Sequence, residues 1–295
     1  MELSEIRYFL ALAETLNFTK AAEQCHVSQP ALTRAIRKME SELGGLLFSR
    51  ERNFTHLTEL GRLIEPHLAE VIARTGAVEQ TAARFLKLEQ AHLALGVMCT
   101  IAPLKFVSFL GRFRADNPGV EITLIEAVPD QLADRLIKGE IDLAIMARPD
   151  GFEAPLQAIE LYPERFVIAC SAGHRFAREA EVPMAALDGE FYLSRINCEF
   201  RDRLSELVNE QGIRLQRSYR SEREDWILTM VAAGLGVCFL PEFTATFPGV
   251  IGCSFVAPTV ERQVSLVSVA GRRLSPPVQA FMNAVQNYSW PKRCS

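Results

Sequence analysis

Near residue 90 the spacing of apolar side chains changes, and no single repeating architecture accommodates both halves. Before it, apolar residues recur at steps of three and four, as on helices; after it they gather in short runs such as HLALGVM, VEITLIEA and IDLAIMA, which read as strands. At 295 residues the chain also exceeds the size at which one hydrophobic core usually stops growing. The sequence therefore predicts an α/β protein of several domains, with a helical amino-terminal part.

Ile6, Phe9, Leu10, Ala13 and Leu16 form the apolar stripe of a first helix. Asn17 and Thr19 are candidate caps of a short second helix that carries Ala21 and Ala22 and ends near Cys25 and His26. Ser28 caps a third. Pro30 falls in its first turn, where a missing N–H costs little; Leu32, Ile36, Met39 and Leu43 form its buried side, and Gly44 and Gly45 stop it. Two short helices joined by a tight turn and packed on another make a helix-turn-helix. The next segment, LLFSRERNFTHL, alternates in character, with Arg50 and Arg52 flanking a turn near Asn53, and reads as a small wing.

Charge sharpens this reading. The net charge of −4 excludes an indiscriminately basic coat, and residues 1–57 hold seven basic and seven acidic side chains. Yet no acidic residue lies between Glu23 and Glu40, so the third helix presents a locally positive face of Ser28, Gln29, Pro30, Thr33, Arg34, Arg37 and Lys38. Gln29 can pair with adenine and Arg34 with guanine, while Pro30 and the Thr33 methyl can touch thymine methyls. Arg37, Lys38, Arg50 and Arg52 suit phosphates. A solvated basic face is the plain alternative for the helix alone; the adjoining turn and wing favour double-stranded DNA.

Thr58 caps a long helix in which Ile64, Leu68, Val71, Thr75, Val78, Ala82 and Phe85 follow alternating steps of four and three. That a/d seam calls for a partner helix, and so for a dimer or tetramer. Pro66 lies early enough to bend the helix without destroying the pattern.

Beyond residue 90, helices at 103–116 and 130–138 separate the first three strands, a βαβαβ order that implies a parallel sheet. A second set runs through ERFVIACSA, FYLSR, a helix at 199–210, LQRSYRS, a helix at 225–233 and GVCFLP, before QVSLVSVA and a helix at 277–288. Two α/β lobes are expected, with a ligand crevice at the carboxyl ends of strands. The domain scheme is 1–57 for DNA, 58–89 for dimerisation and 90–295 for an effector, with lobe I at about 90–162 and 264–295 and lobe II at about 163–263.

Cys99, Thr100 and Ile101 lie where a strand gives way to a helix, so free N–H groups and the positive helix end favour an anion there. Thr100 adds a hydroxyl, or serves only as the helix cap. Arg195, Asn197 and Cys198 follow the strand FYLSR in the other lobe, and Arg195 can pair a carboxylate. Cys170, Cys238 and Cys253 sit in apolar runs and read as core residues, with Cys294 near a polar end. The histidines at 26, 56, 67, 92 and 174 show no HxxxH or HxH cluster, so no metal is expected. Gly234-Leu235-Gly236 falls between a helix and a strand, the wrong order for a dinucleotide site. With no GxSxG, no phosphate loop and no nucleophile–base pair, neither an enzyme nor a cofactor is expected. Seven cysteines, and Glu2 and Glu5 where a signal peptide carries positive charge, predict a reducing cytoplasm; no run reaches the roughly 18 apolar residues of a membrane span.

FLALAETLNFTKAAEQCHVSQPALTRAIRKMESELGGLLFSR, followed by LTELG, resembles the amino-terminal signature of LysR-type transcriptional regulators, densely over residues 3–66. The order of elements beyond it is similar to that family's effector domain to the end of the chain. The resemblance implies a winged helix-turn-helix, a dimerising linker helix and a two-lobed domain like the periplasmic binding proteins. In the cleft it implies a small effector, an organic anion or an oxidant, with RNA polymerase as a further partner. It also adds Val128 and Phe200 to the crevice, although apolar residues there equally satisfy plain packing. The wing departs from the family pattern, since Asn53 stands three residues after Arg50 where a second arginine is common.

Cys198-Glu199-Phe200-Arg201-Asp202 resembles the stretch around the reactive cysteine of peroxide-sensing members, and Thr100 and Cys25 match as well. A thiol at a helix N-terminus with Arg201 one turn on is expected to ionise readily. The resolving cysteine those members carry about nine residues onward is Leu207 here, and no cysteine occurs between Cys198 and Cys238. Two readings of Cys198 stay open: oxidation of a single cysteine to sulfenic acid, or a pocket wall for an organic ligand. A solute-binding protein or enzyme on a two-lobed fold is a further class, opposed by the winged domain.

Overall fold

A computed structural model describes residues 1–51, 54–256 and 258–290. The chain divides into two compact units, Met1–Leu86 and Lys87–Ser295.

In the first unit α1 (Leu3–Thr15) buries Ile6, Phe9 and Leu12; it stops where Leu16 turns left-handed at φ 48°, which leaves Leu16 43% exposed instead of extending the stripe. Asn17 caps α2 (Phe18–Gln24), its side chain accepting from the N–H groups of Thr19 and Lys20 at 2.9 and 3.1 Å; Thr19 is thus capped rather than capping. Ser28 caps α3 (Gln29–Leu43) by accepting from the Ala31 N–H at 3.4 Å, and Gly44 ends it at φ 74°. Leu32, Ile36 and Met39 are buried, whereas Leu43, the last residue of the helix, is 42% exposed. Strands β1 (Phe48–Glu51) and β2 (Phe54–Leu57) pair antiparallel as the wing. Arg52 and Asn53 lie outside the described residues.

Helix α4 (Glu59–Leu86) starts with the Thr58 hydroxyl accepting from the Gly61 N–H at 3.0 Å. Gly61 is required by close approach, because a Cβ there would stand 2.3 Å from the Leu47 carbonyl oxygen. Ile64, Leu68 and Ile72 pack against the three-helix core. The first two positions of the expected seam therefore serve the chain's own core, while Val71, Val78 and Phe85 remain 41%, 69% and 36% exposed.

The second unit opens with β3 (Ala91–Met98), α5 (Pro103–Asp116), β4 (Val120–Ala127), α6 (Pro129–Lys138) and β5 (Leu143–Met146), and β3 pairs parallel with both β4 and β5. The chain continues through β6 (Leu156–Ser171), β7 (Val182–Pro183), β8 (Phe191–Arg195), α7 (Arg201–Glu210), β9 (Gln216–Ser221), α8 (Glu224–Ala232), β10 (Cys238–Pro241), β11 (Val250–Cys253), β12 (Phe255–Val256), β13 (Glu261–Val269) and α9 (Pro276–Asn287). Strand β6 serves two halves: Leu156 to Arg165 pairs antiparallel with β13, and Phe166 to Ser171 with β10 and β11. Only its second part is readable as a strand in the sequence. Pro163, which has no N–H to donate, lies opposite Gln263, beside a register shift at Val264 and Ser265. One core gathers Leu93, Leu95, Ile145, Phe106, Phe109 and Phe281, a second Phe166, Ile168, Phe176, Phe239 and Phe255, and a third Val167, Leu193, Ile227, Val231 and Leu240. Among the described residues no helix is long and apolar enough to cross a membrane.

Candidate functional site

On α3, Ser28, Gln29, Pro30, Arg34 and Arg37 are exposed and Thr33 is half-buried. The Thr19 hydroxyl donates to the Gln29 side-chain oxygen Oε1 at 3.5 Å, which holds that amide at the junction of α2 and α3. Arg34 and Arg37 have no ion-pair partner among the described residues. Arg50 is exposed on the wing, its guanidinium carbon 3.8 Å from the centre of the Phe18 ring. Lys38 differs from the expectation of a phosphate ligand. Its Nζ lies 2.7 Å from Glu5 and 3.9 Å from both Glu2 and Glu42, so its charge is already matched. The hydrogen bond from Lys38 holds the buried Glu5 carboxyl below the usual carboxylate range and raises Lys38 in turn.

In the second unit a cavity of about 990 Å³ opens where three strands end. Val128 and Pro129 follow β4, Arg148 to Gly151 and Glu153 to Leu156 follow β5, Ile196 to Glu199 follow β8, and Asp202, Arg203 and Glu206 come from α7. Of the residues expected here, Val128, Asn197 and Cys198 line it. Ile101 and Phe200 are core residues, each 6% exposed, and the Phe200 ring lies 5.1 Å from that of Phe166. Cys99 is half-buried, its Sγ 3.8 Å from the Asn197 carbonyl oxygen.

The lining is acidic. Asp130, Asp134, Asp150, Glu153, Glu199, Asp202 and Glu206 face only Arg148 and Arg203 among the described lining residues. Arg148 is bound to Asp130 at 2.6 Å and Arg203 to Glu206 at 3.5 Å. Asp202 takes Arg201 at 3.0 Å, which leaves Asp134, Asp150 and Glu153 without an ion-pair partner among the described residues.

Thr100 is not the cap of α5; that position is Ala102, and Thr100 is 2% exposed. Its hydroxyl donates to Glu199 Oε2 at 2.9 Å and accepts from Arg262 Nη1 at 2.8 Å, while Arg262 Nη2 donates to the Thr100 carbonyl at 2.8 Å. Arg262 also donates to Glu199 Oε1, and its Nε and Nη2 donate to Glu164 Oε2 at 2.9 and 2.7 Å. Burial opposes the charge on Arg262, but Glu199 and Glu164 outweigh it and hold the guanidinium above its ordinary pKa. Glu164, Glu199 and Arg262 thus form a buried charge cluster with Thr100 that the motifs do not single out. A partial signal existed: Glu164 opens the run ERFVIACSA and Arg262 immediately precedes QVSLVSVA, opposite charges at the edges of two strand-like runs, and the structure places the two residues opposite one another in register.

Arg195 also departs from expectation. It is 4% exposed, donates from Nε to Glu224 at 2.8 Å and from Nη1 to the Phe239 carbonyl at 3.3 Å and Cys198 Sγ at 3.7 Å, and does not line the cavity. The Cys198 thiol is raised rather than lowered: burial dominates, and Arg195 offsets only part of it. Helix α7 begins at Arg201, beyond Cys198, and Arg201 donates to Asp202 at 3.0 Å and to the Ile196 carbonyl at 3.2 Å instead of meeting the thiol. Burial likewise pushes Cys99 up to about 11 and Cys170 up to about 12. Cys170, Cys238 and Cys253 are buried and Cys25 half-buried; Cys294 lies outside the described residues. Among the described residues no cluster of three His, Cys, Asp or Glu is arranged to hold a metal.

Residues 3–62 match the family described as bacterial regulatory helix-turn-helix protein, lysR family, and residues 87–290 match the LysR substrate binding domain. The chain is 28% identical over 293 residues to the hydrogen peroxide-inducible genes activator of Haemophilus influenzae, covering 97% of each. It resembles a full-length OxyR variant of Pseudomonas aeruginosa at 28% identity and a TM-score of 0.69, over 97% of this chain and 99% of that one. CbnR bound to its target DNA shares the fold, with a TM-score of 0.72 at 21% identity over 97% and 99% of the two chains.

Proposed function

The chain belongs to the LysR family of bacterial DNA-binding transcription regulators, and from that premise we propose how its parts divide the work. Residues 1–57 bind DNA, 58–89 dimerise, and 90–295 sense an effector, the two lobes exchanging chain within β6 and β13. Gln29 and Arg34 read base edges, with Pro30 and Thr33 against thymine methyls; Arg37, Arg50 and Arg52 bind phosphates. Ser28 sets the first turn of α3, and Lys38 braces α1 against α3 rather than contacting DNA. The observation that carries this reading is the exposed α3 face, whose Arg34 and Arg37 have no internal ion-pair partner among the described residues. Titrating wild-type and R34A protein against two operator variants tests it: R34A relaxes base preference, whereas R50A weakens both sites alike.

The effector binds in the cavity lined by Val128, Asn197 and Cys198, and its charge is positive or neutral. An organic anion would meet Asp134, Asp150 and Glu153 with no matching cation beside them; Thr100 is already bonded to Glu199 and Arg262, and the Arg195 charge is paired with Glu224, away from the cavity lining, although Arg195 Nη2 has no hydrogen-bond partner. The tie from Glu199 to Thr100 and Arg262 joins the loop after β8 to the end of β3, so a ligand that parts or tightens it shifts the lobes. No catalytic role is assigned. A cytoplasmic site of action follows from the DNA target, with RNA polymerase as a further partner.

Oxidant sensing at Cys198 is the second reading, favoured by the peroxide-inducible relatives. Against it stand the raised thiol and the Leu207 that replaces a resolving cysteine. Stoichiometric peroxide followed by sulfenate trapping at Cys198 and an operator-binding assay decides: absence of both adduct and binding change removes this reading.

A further inference from the structure

We propose that Cys170 and Cys253 form a reversible disulfide, a modification site separate from the cleft and from Cys198. Across the antiparallel pair of β6 and β11, Cys170 faces Ile251 and Cys253 faces Ile168, which makes the two cysteines diagonal neighbours on one face. Their sulfurs lie 3.7 Å apart, the one thiol–thiol contact among the described residues. Both side chains are buried in the core of the second half, beside Phe176.

The hydrogen bonds assign the roles. Cys253 donates its S–H to the Phe176 carbonyl oxygen at 3.2 Å, so the proton between the two sulfurs is that of Cys170. A thiolate at Cys253 is stabilised by that S–H donor, which makes Cys253 the nucleophile and Cys170 the resolving thiol. The oxidant is a hydroperoxide. The Cys253 thiolate attacks the terminal peroxide oxygen, an S–O bond forms as the O–O bond breaks, and the departing alkoxide or hydroxide takes the proton Cys253 released. Cys170 then attacks the sulfenic sulfur; the S–S bond forms, the S–O bond breaks, and hydroxide leaves with the Cys170 proton as water. Two thiols and one hydroperoxide give one disulfide, one alcohol and one water, with hydrogen peroxide giving two waters. Burial keeps both thiols protonated, so the reaction is slower than at an exposed cysteine. Closing the bond to about 2 Å draws β11 onto β6 and removes the Cys253 bond to Phe176.

The test uses the reduced full chain, treated with hydrogen peroxide, alkylated and digested with trypsin. Mass spectrometry is expected to find the peptide 166–175 linked to the peptide 224–262, in wild-type and in C198S alike, with the link lost after reduction by excess thiol. The link is expected to vanish in C170S and in C253S and to persist in C238S, which separates Cys253 from the other cysteine of that peptide. Recovery of Cys170 and Cys253 as alkylated thiols from wild-type after prolonged exposure overturns the proposal. A link that survives in C253S overturns the assignment, and one that requires Cys198 overturns its independence from that residue.

Discussion

Arg262 stands between two carboxylates in the interior of the effector unit, and removing it leaves Glu164 buried with no compensating charge. R262A is expected to lower unfolding stability by about 3–5 kcal/mol, measured by urea denaturation. E199Q, which keeps one acceptor oxygen, is expected to cost less. Glu5 offers a test by pH. Its folded-state pKa is depressed, so its contribution is present above the unfolded value of roughly 4.3 and is lost as pH falls through the lower folded value. The melting temperature is expected to fall between about pH 5 and pH 3, with a shallower fall in E5Q. At this scale the exposure of Gln29, Pro30, Arg34 and Arg37 was legible, because a helix face is set by sequence spacing alone, whereas the pairing of Lys38 with Glu5 was not. The Thr100–Glu199–Arg262 cluster was not: its members are 63 to 162 positions apart, two of them in the connections after β3 and β8, and only the tertiary fold brings them to Arg262 on β13. The ionisation of Cys198 was misread for a related reason, since burial depends on what the rest of the chain packs over it.

Elements were legible wherever a local signal starts or stops them. Asn17, Ser28, Thr58 and Gly44 all perform their expected capping roles, whereas Pro163 hid half of β6 because a strand reading excludes a residue without an N–H. N17A is expected to cost about 1 kcal/mol, since Asn17 accepts two good hydrogen bonds; S28A, with its longer 3.4 Å bond, is expected to cost less. Helix α4 separates two roles that one heptad pattern cannot tell apart. Leu68 is 5% exposed against the winged core, and L68A is expected to destabilise the amino-terminal unit by about 2–4 kcal/mol. Val78 is 69% exposed, and V78E is expected to weaken self-association in sedimentation equilibrium while leaving that unit's stability unchanged. Dissociation by L68A alone, with V78E silent, would reverse these roles.

For the whole molecule, the proposed division of labour assigns DNA recognition and ligand selection to opposite local charges within one mildly acidic chain of net charge −4. The positive face of α3 lies in the amino-terminal unit and the carboxylates of the cavity in the other. A thermal-shift panel on the full chain is expected to show stabilisation by amines or neutral polar ligands and none by dicarboxylates. The most direct test of the account is an anisotropy titration of wild-type and R34A protein. Each is titrated against the duplex that wild-type enriches from a random pool, and against a shuffled duplex of the same composition at the same salt. Wild-type should prefer the enriched duplex by about 10³-fold or more, and R34A should lose about 1–3 kcal/mol on it with little change on the shuffled one. Equal binding of both duplexes by wild-type, or equal loss on both by R34A, would contradict sequence reading by α3.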